Sequence, residues 1–297
     1  MGAVGTCLVL DGTNLMHRGH HALKGVDPRD DRGRAVGALV GLVTMTATAL
    51  LAVPASSLVV AFDPAGGCPT RRALAPSYKA QRSAPDPALV DQLARVPAAL
   101  AELGLAVRIV EGWEADDVLA SVSTRVVESG SRAVLITSDK DAHQLVGERC
   151  VVRTPDGRDV DGASIVERYG VAPARWVEYA ALVGEQADNL EGVRGIGPAR
   201  AARLLGAVDD VEEALGDPAR AEATLGAAGA AALAAGAETF RRNRTVGALR
   251  RDLEVDLAGL RLHALDPAGI ARGLRALGAG SAGARLARAL ESRLTTR

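Results

Sequence analysis

Cys7–Asp11 reads CLVLD, a short apolar run closed by an acid, and Leu58–Asp63, LVVAFD, repeats the form. Ala106–Val110 and Ala133–Thr137 are further runs of this kind. Between them lie helical patterns. Ala35–Leu51 is a long apolar helix ended by Pro54, and Asp116–Glu128 is a helix with Gly130 as its stop. Strands alternating with helices over the first 150 residues predict an α/β fold, a doubly wound parallel sheet. In such a sheet the carboxyl ends of the strands share one edge, and ligands bind in the crevice there.

Outward from this frame the pattern breaks between Ala65 and Pro87, AGGCPTRRALAPSYKAQRSAPDP. The segment is rich in Gly, Pro and cations and poor in large apolar groups, which predicts an exposed excursion from the end of the second strand. From Ile165 the chain reads as wholly helical. Leu225–Ala237 is a small-residue helix pair without a functional signal.

The 297 residues suffice for one large domain, or a core and a smaller helical domain. The apolar share is 48%, but only seven residues are aromatic, so Leu, Val and Ala must fill the core. Cys7, Cys68 and Cys150 are too far apart for a zinc or disulfide framework. No apolar run reaches the length of a membrane span. Met1-Gly2…Thr6 formally matches an acylation pattern but runs at once into an apolar strand, and the charged start of a secretion signal is lacking. The expected compartment is cytoplasmic.

Acids gather where strands end or helices begin: Asp11 in LDGTN, Asp63 in AFDP, and Glu114, Asp116 and Asp117 in WEADD. Asp139 and Asp141 follow in TSDKD, and Glu185 and Asp188 in GEQADN. Carboxylates crowded along one sheet edge raise one another's pKa unless cations compensate them. Hard oxygen ligands select Mg²⁺ or Mn²⁺, and this many suit two ions flanking a phosphoryl centre. With these nine acids set aside, the net charge of −1 becomes +8, so overall neutrality does not exclude a polyanionic partner. Only three cations of 35 are lysines, and Lys79 and Lys140 lie inside the motifs.

Other chemistries are excluded by single residues. A haloacid-dehalogenase phosphatase needs an Asp two positions before Asp11, and Val9 stands there. No G-x-S-x-G is present, so serine catalysis lacks its nucleophile turn.

Gly192-Val193-Arg194-Gly195-Ile196-Gly197-Pro198 then opens a helix. Glycines at this spacing let a tight turn expose backbone N–H groups at a helix N-terminus, which suits a phosphate. Arg194, Arg200 and Arg203 can add contacts to phosphates without reading bases. The pattern is a helix–hairpin–helix.

VLDGTNLMHRGHHAL, VVAFDP, LAPSYKAQR, WEADDVLAS, TSDKDAHQLV, YGVAPARWVEYAALVGEQADNLEGVRGIGPARAARLL and the late LRALGAGS together resemble the 5′-nuclease domain of bacterial DNA polymerase I and the flap endonucleases related to it. The likeness covers about the whole chain, and with no polymerase domain following, a free-standing member is expected. The resemblance implies a PIN-like catalytic domain at 1–170 with a helical arch at Ala65–Pro87. It implies a helical domain at 171–297 whose helix–three-turn–helix binds duplex DNA, with K⁺ often at the hairpin.

By motif position a first Mg²⁺ is held by Asp11, Asp63, Glu114, Asp116 and Asp139, and a second lies near Asp117, Asp141, Glu185 and Asp188. The same resemblance implies that Asp63, Asp116, Lys79 and Arg82 carry catalysis. Arg18, Arg71, Tyr78, Lys79 and Arg82, with Gly192, Arg194, Gly195, Gly197, Arg200 and Arg203, are expected to meet the DNA. The chain departs from the family pattern at Glu185, where Asp is usual, at His17 and His20, where tyrosines are common, and at Ala199-Arg200, where Lys-Thr is usual.

The expected activity is metal-dependent 5′–3′ exonuclease and 5′-flap endonuclease hydrolysis that leaves 5′-phosphorylated products, in replication and repair. Its substrates are 5′ flaps, nicked or 5′-ended duplexes, with RNA–DNA hybrids as a further candidate. The rival from another class is a catalytically weakened DNA-junction-binding protein of the same fold, which predicts lost acids.

Overall fold

β1 (Thr6–Asp11) lies inside a six-stranded sheet in the computed structural model, which describes residues 5–295. The acylation pattern at Met1-Gly2 begins outside the described residues. β2 (Ser57–Ala61) and β4 (Arg132–Ile136) flank β1, both parallel to it. With β3 (Val107–Arg108), β5 (Cys150–Arg153) and β6 (Asp159–Val160), the order is β3-β2-β1-β4-β5-β6. β6 is antiparallel to β5 and adds one edge strand to the expected doubly wound parallel sheet. A tight hairpin joins them, and only antiparallel strands can be joined that way.

The central strands read as continuous apolar runs because both faces of the sheet are covered. Val9, Val59 and Leu135 point to one face, against Val118, Leu119 and Val122 of α5 (Ala115–Glu128). Leu8, Leu10, Val60 and Ile136 point to the other, against Leu39 and Leu42 of α2 (Gly37–Ala52). Truncating any such leucine to Ala costs about 2–5 kcal/mol. Gly41 of α2 has a specific cause. α1 (Gly12–Leu23) crosses α2 so closely that a Cβ on Gly41 would stand 2.2 Å from the Cα of Gly19.

The excursion after β2 holds α3 (Pro69–Leu74) and a run of turns before α4 (Pro87–Glu102). It is neither free nor uniformly exposed: Cys68, Arg71, Ala75 and Tyr78 are buried. The exposed excursion expected from composition is therefore corrected, because its burial comes from ion pairs and one aromatic ring rather than from an aliphatic stripe.

α6 (Gly162–Tyr169) and α7 (Trp176–Val183) begin the helical part, but a two-stranded ribbon, β7 (Gly184–Glu185) and β8 (Leu190–Glu191), interrupts it. α8 (Pro198–Ala207), α9 (Val211–Gly216), α10 (Pro218–Leu225), α11 (Ala227–Ala235) and α12 (Ala237–Gly247) follow. The chain then returns to the sheet. Leu58 N–H donates to the Leu260 carbonyl at 2.8 Å, and Leu262 N–H to that of Ser56 at 3.0 Å.

α13 (Pro267–Ala276) and α14 (Gly280–Thr295) end the chain. Leu274 and Leu286 on them join the core under α2, and Arg293 donates 2.7 Å bonds to the Leu50 and Leu51 carbonyls at its C-terminal end. A boundary at residue 170 is thus a cut in sequence and not in space. Among the described residues no helix is long and apolar enough to cross a membrane.

Candidate acidic active site

Asp11 ends β1 and caps α1. One carboxylate oxygen accepts from Asn14 N–H at 2.9 Å and the other from the Thr137 hydroxyl at 2.8 Å. Thr137 stands just past β4 and also accepts from Asp139 N–H at 3.0 Å, so one hydroxyl ties two strand ends together. Asp63 follows β2. Its N–H donates to the Thr13 hydroxyl at 2.9 Å, and its carboxylate accepts from Ala115 N–H at 2.6 Å, at the start of α5. Asp139 in turn accepts from Asp141 N–H at 2.9 Å. The strand ends do bring these acids to one edge.

Their electrostatics show what the edge lacks. Burial, helped by Asp63 and Asp139, pushes the Asp11 carboxyl up to about 7. Burial raises Asp116 well above the usual range, with Asp139 and Asp11 adding to it. Asp141 rises well above it too, through burial and then the charges of Asp139, Asp188 and Glu185. Asp63 is raised by the protein packed around it and by Glu114. One oxygen of Asp116 is buried without any hydrogen-bond partner among the described residues.

Glu114 and Asp117 stand in a different environment. Arg71 reaches in from α3, donating to Glu114 at 2.9 Å and to both oxygens of Asp117 at 2.7 and 2.8 Å. Asp117 also accepts from the backbone N–H groups of Glu114 and Arg250, and its side chain has no solvent exposure. Glu114 further accepts from the Tyr78 hydroxyl and from Lys79 Nζ, each at 2.8 Å. Burial raises the Glu114 carboxyl, but Lys79 and Arg71 pull it below its ordinary value.

These contacts correct several expectations. Asp117 is not a ligand in waiting, because every lone-pair direction meets a donor. Arg71 and Tyr78, expected to meet DNA, are turned inward: Arg71 is 5% exposed and Tyr78 packs on Ala75, Leu190 and Val246. Both brace Glu114 instead. Among the described residues no three His, Cys, Asp or Glu side chains form a ready-made metal-ligand group, so a nine-acid site is not preformed. Glu114 is already neutralised by cations of the chain itself.

Lys79 and Arg82 do reach the edge. Lys79 has a left-handed backbone, φ 56°, held by its N–H on the Asp188 carbonyl at 2.9 Å. Arg82 donates to the Asp188 carboxylate at 2.8 Å, with half of its side chain exposed. Asp188 rises through burial, which Lys79 and Arg82 oppose. Glu185 accepts from Ala187 N–H at 3.3 Å and caps the following turn. Gln81 and Asn189, absent from the expected site, close the seam. Gln81 donates to the Gln186 and Ala187 carbonyls at 3.1 Å, and Asn189 to that of Ser77 at 2.8 Å. Thr137 and Thr13 were also missed, although both sit beside an acid in the motifs TSDKD and LDGTN.

The glycine hairpin joins β8 to α8. Gly192 is required by packing, because a Cβ there would lie 2.3 Å from Val183 C and O, and Gly195 by its φ of 90°. A Cβ on Gly195 would also lie 3.2 Å from that of Ala232 in α11. Val193 and Ile196 anchor the turn in the core. Arg194 and Arg203 are exposed, whereas Arg200 donates to the Gly195 carbonyl at 2.6 Å and braces the turn itself. Arg18 is exposed on α1.

Residues 6–170 match the family described as 5′-3′ exonuclease, N-terminal resolvase-like domain, and residues 171–268 match its C-terminal SAM fold. The chain belongs to the 5′-3′ exonuclease family. Among curated relatives of this family, the thermostable DNA polymerase I of Thermus aquaticus is 38% identical over 201 residues, 68% of this chain and 24% of that protein. The chain thus spans about a quarter of the length of such relatives. Among solved structures, T5 5′-exonuclease with bound zinc ions superposes with a TM-score of 0.64 at 19% identity, covering 97% of this chain and 99% of that one. The bacteriophage T5 flap endonuclease, in a pseudo-enzyme-product complex with DNA and metal ions, gives 0.61 at 18% identity, over 96% and 99%. Those two likenesses concern the fold.

Proposed function

We infer that the chain is a divalent-cation-dependent 5′ nuclease, hydrolysing phosphodiester bonds in DNA at free 5′ ends and 5′ flaps in replication and repair. The observation that carries this reading is the uncompensated half of the acid edge: Asp11, Asp116 and Asp141 all pushed up, with a buried oxygen of Asp116 unpartnered. Oxygen donors without a counter-charge fit hard cations such as Mg²⁺ or Mn²⁺. The T5 proteins of like fold hold divalent ions and DNA, which supports the same reading.

Asp11, Asp63, Asp116 and Asp139 would hold one ion, and Asp141, Glu185 and Asp188 would serve a second. Bound there, the ions would supply charge neutralisation for the attacking and leaving oxygens of an in-line displacement. The chain's own residues do the remaining work. Thr137 and Asn14 N–H fix the rotamer of Asp11, so its lone pairs are set in advance. Lys79, at the seam between excursion and edge, is a compact charge able to move from Glu114 to a phosphate oxygen. Arg82 is exposed enough to do the same from Asp188. Arg194 and Arg203 on the glycine hairpin hold the duplex by its backbone, and the departing strand carries a 5′-phosphate.

A gel assay tests the reading with a labelled 5′ flap, a nicked duplex and a single strand, each with Mg²⁺ and with EDTA. Cleavage of 5′-ended substrates only with the ion is expected. Cleavage that survives EDTA, or none on any substrate with Mg²⁺ or Mn²⁺, overturns it.

A further inference from the structure

The amino ends of the central strands, across the sheet from the acid edge, enclose a cavity of about 390 Å³. β1 and β2 run from it toward Asp11 and Asp63, so about 17 Å of strand separates it from those acids. Four stretches of chain build it. Thr6 and Ser57 open β1 and β2. Ser129 and Ser131 follow the last turn of α5, which carries Arg125. Residues 257–261, where the chain returns to the sheet, close the side, with Arg261 bridged to Ser57 through the backbone.

The chemistry of the wall is one-sided. Two guanidinium groups and five side-chain hydroxyls line it, and among the described residues no Asp or Glu does. Asp256, just before the lining stretch, is engaged elsewhere: it faces Arg108 at 3.9 Å and accepts from Ala258 N–H at 2.8 Å. Two of the hydroxyls are spent. Ser129 donates to the Val126 carbonyl at 2.7 Å, and Ser56 makes a long 3.4 Å bond to that of Thr6. The other donors are available. Arg125 gives one bond, to the Val255 carbonyl at 2.6 Å, and meets no carboxylate among the described residues. Among those residues the Arg261 side chain and the Thr6 and Ser57 hydroxyls have no hydrogen-bond or ion-pair partner. Ser131 only accepts, from Ser129 at 3.3 Å. Val126, Leu257 and Leu260 supply the apolar part of the lining, and Leu257 is 36% exposed.

Guanidinium forks match the oxygens of a phosphate, and hydroxyls donate to the oxygens that remain. The volume also falls within the range of small-molecule sites, about 300–1,000 Å³, with room for the organic part of an ester. We propose that the cavity binds a phosphate monoester of mononucleotide size. Its phosphate meets Arg125, Arg261 and the free hydroxyls, and its nucleoside lies on the apolar wall. The site goes beyond the nuclease reading and does not depend on it, since neither the acid edge nor the glycine hairpin takes part.

Isothermal titration calorimetry on the full chain, in EDTA and without DNA, tests the site with dAMP, deoxyadenosine and inorganic phosphate as probes. dAMP should bind, phosphate should bind more weakly, and deoxyadenosine should give no heat at the same concentrations. Arg261→Ala breaks no side-chain contact of the described residues. It should weaken dAMP binding by about tenfold or more, the loss of one charge-assisted hydrogen bond. Ser57→Ala should weaken it by about fivefold, as for a neutral hydrogen bond. Arg272→Ala, an exposed cation outside the cavity, should bind dAMP like the wild type. Unchanged melting temperatures show that the fold is kept. Three results overturn the site: deoxyadenosine binding as tightly as dAMP, an unchanged dAMP affinity in Arg261→Ala and Ser57→Ala, or no dAMP binding by the wild type. None of them bears on the nuclease reading, which its own cleavage assay decides.

Discussion

Glu114 and Asp116 are two residues apart in one motif, yet they sit in opposite electrostatic surroundings. Glu114, with Asp117, faces the excursion and receives Arg71, Tyr78 and Lys79. Asp116, with Asp11 and Asp141, faces the strand ends and receives few or no cations. The first pair is the scaffold of the edge, already neutral within the protein. The second group is held in a strained ionisation state that an external cation would relieve. An acid's position along a strand end therefore says where it points, while its partners decide whether it is structure or chemistry.

The largest expected effect separates these halves by activity. Asp116→Asn should lower turnover on a 5′ flap by roughly a thousandfold, about 4 kcal/mol of barrier, with flap binding nearly intact. Its metal-free melting temperature should rise, because a repelled charge is gone. A variant that keeps a tenth of the wild-type rate would place Asp116 with the scaffold instead.

Arg71→Met attacks the other half. Removing one partner of a buried ion pair leaves Asp117 without its counter-ion and Glu114 with Lys79 alone, and costs about 3–5 kcal/mol of stability. The same change should unfold the seam between α3, α5 and the end of α12, where Arg71 also donates to the Val246 carbonyl at 3.0 Å. Urea denaturation measures it. A loss under about 1 kcal/mol would mean that the clasp forms no part of the folded state's stability.

This clasp also marks how far the sequence is legible. The strands and the clustering of Asp11, Asp63 and Asp139 can be read from apolar runs closed by acids, since burial on both faces leaves that local signature. The compensation cannot be read locally. Arg71 meets Glu114 and Asp117 across 43 and 46 residues, and its own neighbourhood, CPTRRALAP, has the composition of a solvated loop. The return of α14 to α2 has the same character, as it depends on a tertiary contact that no periodicity encodes.

Proton linkage tests the uncompensated half directly. Asp11 has an ordinary carboxyl value in the unfolded chain and about 7 in the folded one, so the native state binds the extra proton. Stability then falls as pH rises between about 4 and 7, and the penalty stays constant above that range. In EDTA, Asp11→Asn should therefore gain melting temperature over wild type at pH 8 and lose that advantage near pH 4. Mg²⁺ at pH 8 should restore the wild type by binding the folded state. An advantage that is independent of pH would show that Asp11 ionises normally.

Lys79 joins the two halves, and its backbone records the strain. A non-glycine residue at φ 56° costs on the order of 1 kcal/mol, so Lys79→Gly relieves strain while removing the charge. Lys79→Ala removes only the charge and keeps the strain. Both should lower kcat more than they raise KM if Lys79 leaves Glu114 for the phosphate in the transition state. The glycine variant should be the more stable of the two. A pure KM effect in both would reduce Lys79 to a steering charge.

The smallest effect belongs to Glu185, at the margin of the uncompensated group. Its carboxylate contributes to the raised state of Asp141 and accepts a long 3.3 Å bond from Ala187 N–H. It is thus close enough to matter electrostatically but only weakly tied down. It stands on an extended backbone just before the turn that carries Asp188, with one methylene more than Asp. Mg²⁺ demands near-octahedral geometry and retains its waters, so a loosely held, longer ligand should give a second site that fills late. Activity should accordingly rise over a wide Mg²⁺ range and be helped by Mn²⁺, which binds such oxygens more tightly. Glu185→Asp should shift the Mg²⁺ titration severalfold to lower concentration at the same maximal rate, provided the ribbon β7–β8 holds the backbone where it is. Glu185→Gln should shift it the other way and let the Asp141 carboxyl fall toward its ordinary value. If Glu185→Gln instead titrates like the wild type in both rate and Mg²⁺ demand, Glu185 only caps its turn, and the second site rests on Asp141 and Asp188.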